Sequence, residues 1–418
     1  MNATVITTGP GVIIATAIAS RFTRLFAYGA LSVVLVFYLT GVGLSESRIG
    51  LLLTLILLGD TIVSLVLTTQ ADRIGRRRML VIGSLLMAGA GLAFAMTNNF
   101  LFLVIAGAIG VVSPSGNEVG PFLSIEQAAL SHVVSAPART TAFAWYTLTG
   151  SFATAIGSLC GGILPSLLGS GGTASTKGYR AVVISYAVLG IALMLVFTRL
   201  SSATEVDSTD RLSGLAATNT LLGVGHSRKI VFKLSALFAL DSFGGGFVVQ
   251  SFAAYWFYLR FGVKPAALGA IFLGTNLFAG VSASLASRLA SRIGLVKTMV
   301  FTHLPLNILL ILLPLMPTLE LAIGVLLLRF SISQMDIPTR QSYTMAMVRP
   351  EERSAAAGIT GVARTVGASI PPMFVGLMFA RPRLISLPFF IAGTLKITYD
   401  LLLYRQFVAI QPHEKEFR

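Results

Sequence analysis

Charge is scarce in this 418-residue chain: only 11% of its residues are Asp, Glu, Lys or Arg, and 16 acids stand against 31 bases. With 55% of residues hydrophobic, too few polar groups remain to cover a soluble core of this size, so the composition demands lipid as solvent. Cysteine is nearly absent, and the single Cys160 excludes an internal disulfide and a thiolate metal cluster. Histidines 132, 226, 303 and 413 are scattered without paired spacing and support neither a metal site nor a triad. A nucleophile elbow, a dinucleotide fingerprint and a P-loop are all missing, and Gly169-Ser170-Gly171-Gly172 has no Gly-Lys-Ser/Thr after it and no strand before it. Enzymatic turnover, ATP-driven work, a cofactor and a bound metal are therefore not expected. The apolar patch near Val12 to Ala19 has no basic residue before it and no cleavage site, so a removed signal peptide is not expected either.

What the chain has in abundance is apolar runs. Stretches of about 20 residues, enough to cross ~30 Å of hydrocarbon as a self-satisfied helix, recur roughly a dozen times. We read an all-α membrane protein of twelve spans. The net charge of +15 would suggest nucleic acid in a soluble protein. Here the bases fall in short turns, at Arg21 and Arg24, Arg73 to Arg78, Arg139, Arg211 to Lys233, Arg288 to Lys297, and Arg349 with Arg353. These are alternate connections, as the positive-inside bias requires, so they and both termini are expected to be cytoplasmic in a plasma or inner membrane. Nucleic acid is not an expected partner.

One charged turn occurs twice. Ala71-Asp72-Arg73-Ile74-Gly75-Arg76-Arg77-Arg78-Met79 returns 219 positions later as Ala290-Ser291-Arg292-Ile293-Gly294, followed by Lys297 and Met299. A repeated hydrophobic unit with a charged hinge points to two related halves. The turn resembles the signature between the second and third helices of the Major Facilitator Superfamily, Gly-x-x-x-Asp-Arg-x-Gly-Arg-Arg. Asp72, Arg73, Gly75, Arg76 and Arg77 match it, and Thr68 stands where the pattern has its first glycine. The resemblance implies two pseudo-symmetric six-helix bundles, here 1–200 and 230–418, joined by a cytoplasmic linker over 201–229, the only long polar stretch. It also implies a small-molecule substrate, protons as coupling partners, a lipid bilayer, a monomer, and a cytoplasmic gate formed by the turn with Arg292 and Gly294.

Along the chain, span 1 is read from about Leu25 to Gly41, span 3 from Met79 to Met96, and span 4 from Phe100 to Val134. Span 4 is too long to be straight, and Ser113-Pro114-Ser115-Gly116 and Gly120-Pro121 interrupt it, so it is expected to break. In span 5, Ala153-x-x-x-Gly157-Ser158-x-x-Gly161-Gly162 resembles the superfamily's antiporter pattern, although small residues at this spacing also let helices pack closely. Span 7 ends at Phe257-Tyr258-Leu259, an echo of Phe37-Tyr38-Leu39, which places Asp241 near the level of Arg21. The glycines 244 to 246 beside Asp241 are a candidate hinge. Span 10 is read from Leu319 to Val348, bent at Pro338, and span 12 carries Lys396 and Asp400.

A second echo aligns Glu126 with Arg340 at an offset of 214 positions. The resemblance aims this acid and base at a central cavity lined by spans 1, 4, 7 and 10. Arg329, Asp336 and Arg340 are spaced by seven and four, which on one helix puts them along one stripe. Each charge costs at least ~2.5 kcal/mol at the membrane centre, so the stripe faces protein or water. A coupling carboxylate must change its proton affinity with burial and with a nearby cation. The candidates are Glu126, Asp336, Asp241 and Glu118. Arg340, Arg329, Gln127, Gln341 and Tyr28 are candidate cavity residues. Proton-coupled export of a small organic solute by alternating access is the favoured reading, with proton-coupled uptake of an organic anion or nutrient as the alternative and a transporter-like sensor behind both.

Overall fold

A computed structural model describes residues 10–118, 120–134, 136–169, 175–199, 225, 227–349 and 352–408. The expected linker and the tail therefore fall almost wholly outside the described residues. Every regular element described is helical. The α-helices are α1 (Pro10–Gly41), α2 (Glu46–Ile74), α3 (Arg76–Met96), α4 (Phe100–Ile109), α5 (Phe122–Val133), α6 (Ala136–Leu167), α7 (Thr176–Thr198), α8 (Arg228–Gly246), α9 (Gln250–Phe261) and α10 (Pro265–Ile293). They continue with α11 (Leu295–Leu312), α12 (Leu319–Phe330), α13 (Asp336–Ala346), α14 (Arg353–Ser369), α15 (Pro372–Phe379) and α16 (Leu387–Phe407). Among the described residues ten stretches are long and apolar enough to cross a membrane. The expected twelve exceeds this by spans 4 and 10, each of which is divided into two short helices.

Span 4 breaks where its Pro and Gly residues predict, between α4 and α5. Span 7 breaks after Gly246, directly behind the three glycines, and the chain resumes at Gln250. Span 10 departs from expectation: the interruption is 331–335, ahead of Pro338, which lies in the first turn of α13 where proline is tolerated. The stripe of Arg329, Asp336 and Arg340 is thereby cut, with Arg329 on α12 and the other two on α13. Span 1 is also longer than read. The helix starts at Pro10, so Arg21 and Arg24 lie inside it and not in a turn. Helix starts use short polar caps: Asn99 Oδ1 accepts from Leu101 N at 3.0 Å, and Ser175 Oγ accepts from Gly178 N at 3.2 Å.

The repeated turn has one backbone geometry in both copies. Gly75 (φ 115°) precedes α3 and Gly294 (φ 86°) precedes α11, a region where a Cβ is strained and glycine is not.

The chain divides into two compact units. One comprises Met1–Leu44, Leu55–Leu215 and Val263–Leu273; the other comprises Ser45–Thr54, Ala216–Gly262 and Gly274–Arg418. In the first, α1 packs along α6, and α3 along α7. The α1/α6 seam is glycine-lined: a Cβ on Gly157 would lie 2.1 Å from the Phe26 carbonyl oxygen, one on Gly161 2.3 Å from that of Ala30, and one on Gly29 2.3 Å from that of Thr154. Ser158 Oγ donates to Gly29 O across the same seam at 3.3 Å. Close packing thus accounts for the small-residue pattern of span 5. In the second unit α8 packs on α14 and α16, and α11 on α16 and α13, around Leu234, Phe238, Tyr343, Tyr399, Leu403 and Phe407. Where α8 begins, the Glu352 carboxylate accepts from Gly225 N at 2.6 Å and Ser227 N at 3.0 Å.

Candidate functional site

Two buried charged centres stand out, one in each unit. The first is built on Glu126 of α5. Its carboxylate accepts from Arg24 Nη1 at 2.6 Å and Nη2 at 3.0 Å, and from the hydroxyls of Ser20 and Tyr146. Arg24 Nε donates to Glu118 Oε1 at 3.1 Å, and Glu118 Oε2 accepts from Arg21 Nη1 at 2.7 Å. Base and acid therefore alternate: Arg21, Glu118, Arg24, Glu126. Arg24 is 0% exposed and Glu126 3%, so a two-pronged ion pair replaces water for both. Aromatic faces close the centre, with Arg21 4.3 Å from the Tyr146 ring centroid and Arg24 4.5 Å from that of Phe122. The break in span 4 makes this possible. Glu118 sits in non-helical backbone between Gly116 (φ 71°) and Gly120 (φ 78°), and it shares Arg24 with a helical acid eight positions on.

The second centre is built on Asp241 of α8. Its Oδ1 accepts from Lys396 Nζ of α16 at 2.6 Å and its Oδ2 from Arg340 Nη1 of α13 at 3.0 Å. Arg340 also reaches Asp336 Oδ2 at 3.4 Å. Behind them, His303 of α11 places Nε2 3.6 Å from Asp241 Oδ1 and Nδ1 2.8 Å from Asp400 Oδ1. Asn307 Nδ2 donates to Asp400 Oδ2 at 3.0 Å. Asp241, His303 and Asp336 each offer a ligand atom within 4.8 Å of the others. The donor set nevertheless suits no cation, because both Asp241 oxygens are taken by Lys396 and Arg340, two fixed positive charges.

The remaining sequence candidates are dispersed. Gln127 is half-buried beside Glu126 and Gln341 is exposed on α13. Tyr28 is fully buried, its ring 6.2 Å from that of Tyr186. Arg329 lies beside Phe330, with its Nε buried and lacking a hydrogen-bond partner. In the repeated turn Arg77 donates to the Thr198 carbonyl at the end of α7, Arg76 is half-buried, and Arg292 is exposed. The side chains of Asp72 and Arg73 lie outside the described residues, as do those of His132 and Arg139. Sequence reasoning missed Ser20, Arg24, Tyr146, His303 and Asn307 as members of these centres. It also missed Asp60, a buried α2 carboxylate that accepts from Ser64 Oγ at 3.5 Å. For Arg24 a signal existed: apolar residues continue on both sides of it, from Val12 to Ala19 and from Leu25 onward.

A family model described as the Major Facilitator Superfamily matches residues 17–372. The chain belongs to that superfamily. It is 32% identical over 424 residues to "Uncharacterized membrane protein YJR124C" of Saccharomyces cerevisiae, covering 95% of this chain and 94% of the yeast protein. Among solved structures, a mutant of the nucleoside transporter NupG superposes with a TM-score of 0.74 at 13% identity, covering 94% of this chain and 100% of that one. A D-xylose-proton symporter superposes at 0.69 with 15% identity, covering 94% and 97%. As a superfamily member with transporter neighbours, the chain is a multi-pass membrane transporter by family and fold, not an enzyme.

Proposed function

We propose that this superfamily member is a proton-coupled secondary carrier that exports a small organic solute by alternating access. The observation that carries the reading is the pair of buried ion pairs, Arg24–Glu126 and Asp241–Arg340, on the spans that the family resemblance aims at a central cavity. A buried carboxylate is held ionised by its guanidinium. If a conformational step withdraws that partner, the acid takes up a proton, and the alternation links proton movement to solute movement. That one structural neighbour is by name a proton symporter supports protons as the coupling ion. The direction, export, rests only on the resemblance of the pattern from Ala153 to Gly162 to that of the superfamily's antiporters, a pattern that also serves the α1/α6 packing. A second reading, uptake of an organic anion, is favoured by the buried Arg329 Nε without a hydrogen-bond partner.

The test is purified protein in liposomes carrying a pH dye, challenged with a chemically broad solute library under imposed pH gradients. Export coupling predicts protons moving opposite to the solute, and anion uptake predicts both moving together. Solute flux without a pH change, and indifferent to the gradient, would sink the coupled reading.

A further inference from the structure

The geometry points to a proton-binding site made by His303 and Asp400 between α11 and α16, set behind Asp241. Each nitrogen of the His303 ring faces a carboxylate oxygen: Nδ1 at 2.8 Å from Asp400, Nε2 at 3.6 Å from Asp241. All three side chains are buried, Asp400 completely. A neutral imidazole has one N–H, and the contact at 2.8 Å requires a proton between Nδ1 and Asp400 Oδ1. Asn307 Nδ2 donates to the other Asp400 oxygen at 3.0 Å and also lies 3.0 Å from His303 Nδ1; in the tautomer with Nδ1–H donating to the ionised Asp400, Nε2 is left bare toward Asp241.

That bare nitrogen is the acceptor. A proton arriving on the Asp241 carboxylate passes to His303 Nε2, forming one N–H bond and leaving an imidazolium between two carboxylates; the reverse transfer returns it to Asp241. One proton is bound or released and no electrons change hands. The charged and titratable groups facing this site are Asp241 on α8, Asp336 and Arg340 on α13, Arg364 on α14, and Lys396, Tyr399 and Asp400 on α16. Lys396 and Arg340 bind Asp241 when Nε2 is bare, so a solute that draws either cation away frees Asp241 to share the proton. This use of the site rests on the proton-coupled reading above. Its occupancy does not.

The experiment is a pH titration of full-length protein in phosphatidylcholine nanodiscs, with ¹⁵N-labelled histidine and His303→Gln to assign the ring. As protons are added, the His303 signals should pass from Nδ1-protonated to doubly protonated. At matched pH, Asp400→Asn should cut the doubly protonated population roughly tenfold while the other three histidines keep their profiles. Asp241→Asn should change the same population in a protein that still binds Asn307 to Asp400. A His303 ring that keeps one protonation state throughout, or that ignores both substitutions, overturns the inference. If His303 titrates as stated while wild-type liposomes show no proton flux, the site stands and the coupled reading falls.

Discussion

In the first unit the base sits on α1 and the acid on α5; in the second the acid sits on α8 and the base on α13. By the internal repeat these are matching helices, with Glu126 aligned to Arg340 and Asp241 close to the position of Arg21. What the two halves share is a buried pair joining the same two spans. What they do not share is its polarity or its surroundings. Glu126 is finished by two hydroxyls, from Ser20 and Tyr146, whereas Asp241 is finished by a second cation and a histidine. Burial explains the first fact, since a charge in this position needs a partner. It is silent on the second, so the inversion leaves each half free to carry a different task.

The largest effect should separate the two acids. Asp241→Ala leaves Arg340 and Lys396 without their shared carboxylate and should destabilise by ~3–5 kcal/mol, the range for breaking a buried pair. Glu126→Ala leaves Arg24 with Glu118 and should lose about half as much, read as apparent Tm and folded yield in detergent. Equal losses would mean that the second cation at Asp241 contributes nothing. Next comes the swap of polarity. Arg24→Glu combined with Glu126→Arg should recover ~1–3 kcal/mol relative to the sum of the single changes, as a coupled pair does. No recovery would show that the order of charges in the first unit is fixed by Glu118 and Arg21.

Function sharpens the comparison further. Glu126→Gln mimics the protonated acid and should reduce solute-induced proton release in detergent about tenfold. A wild-type-sized signal would exclude Glu126 and move the role to Asp241 or Asp336. The smallest effect concerns the repeated turn. Gly75→Ala and Gly294→Ala should each cost ~1 kcal/mol from their positive φ alone. Gly294 is the cleaner case, because a Cβ there meets nothing within 4 Å.

The membrane class, the repeat, the break in span 4 and the interruption behind Gly246 were all legible in the sequence. Each is written in local residues: apolar runs, a duplicated turn, Pro and Gly. The composition of the charged centres was not, because their partners are far apart in the chain. Arg24 meets acids 94 and 102 positions away, and His303 meets Asp400 across 97. Read locally, Arg21 and Arg24 are bases at the edge of an apolar run, which the positive-inside rule assigns to a turn. A histidine without a neighbour at metal-ligand spacing likewise reads as incidental. The interruption in span 10 was misplaced for a related reason: Pro338 marks a helix start, where it is harmless, and the residues 331–335 carry no strong breaker.

The glycine seam of α1 and α6 has a mechanical consequence for Glu126. Backbone touching backbone at Gly29, Gly157 and Gly161 leaves no side-chain cushion through which one helix could slide on the other. Arg24 and Ser20 ride on α1 and Tyr146 rides on α6, so three of the donors to Glu126 belong to a single stiff plate. Glu126 itself sits on α5, a helix of 12 residues that follows the non-helical residues 110–118 and 120–121. The donors are thus carried by a tightly packed helix pair and the carboxylate by a short helix of its own, so a substitution that widens the α1/α6 seam disturbs all three donors at once.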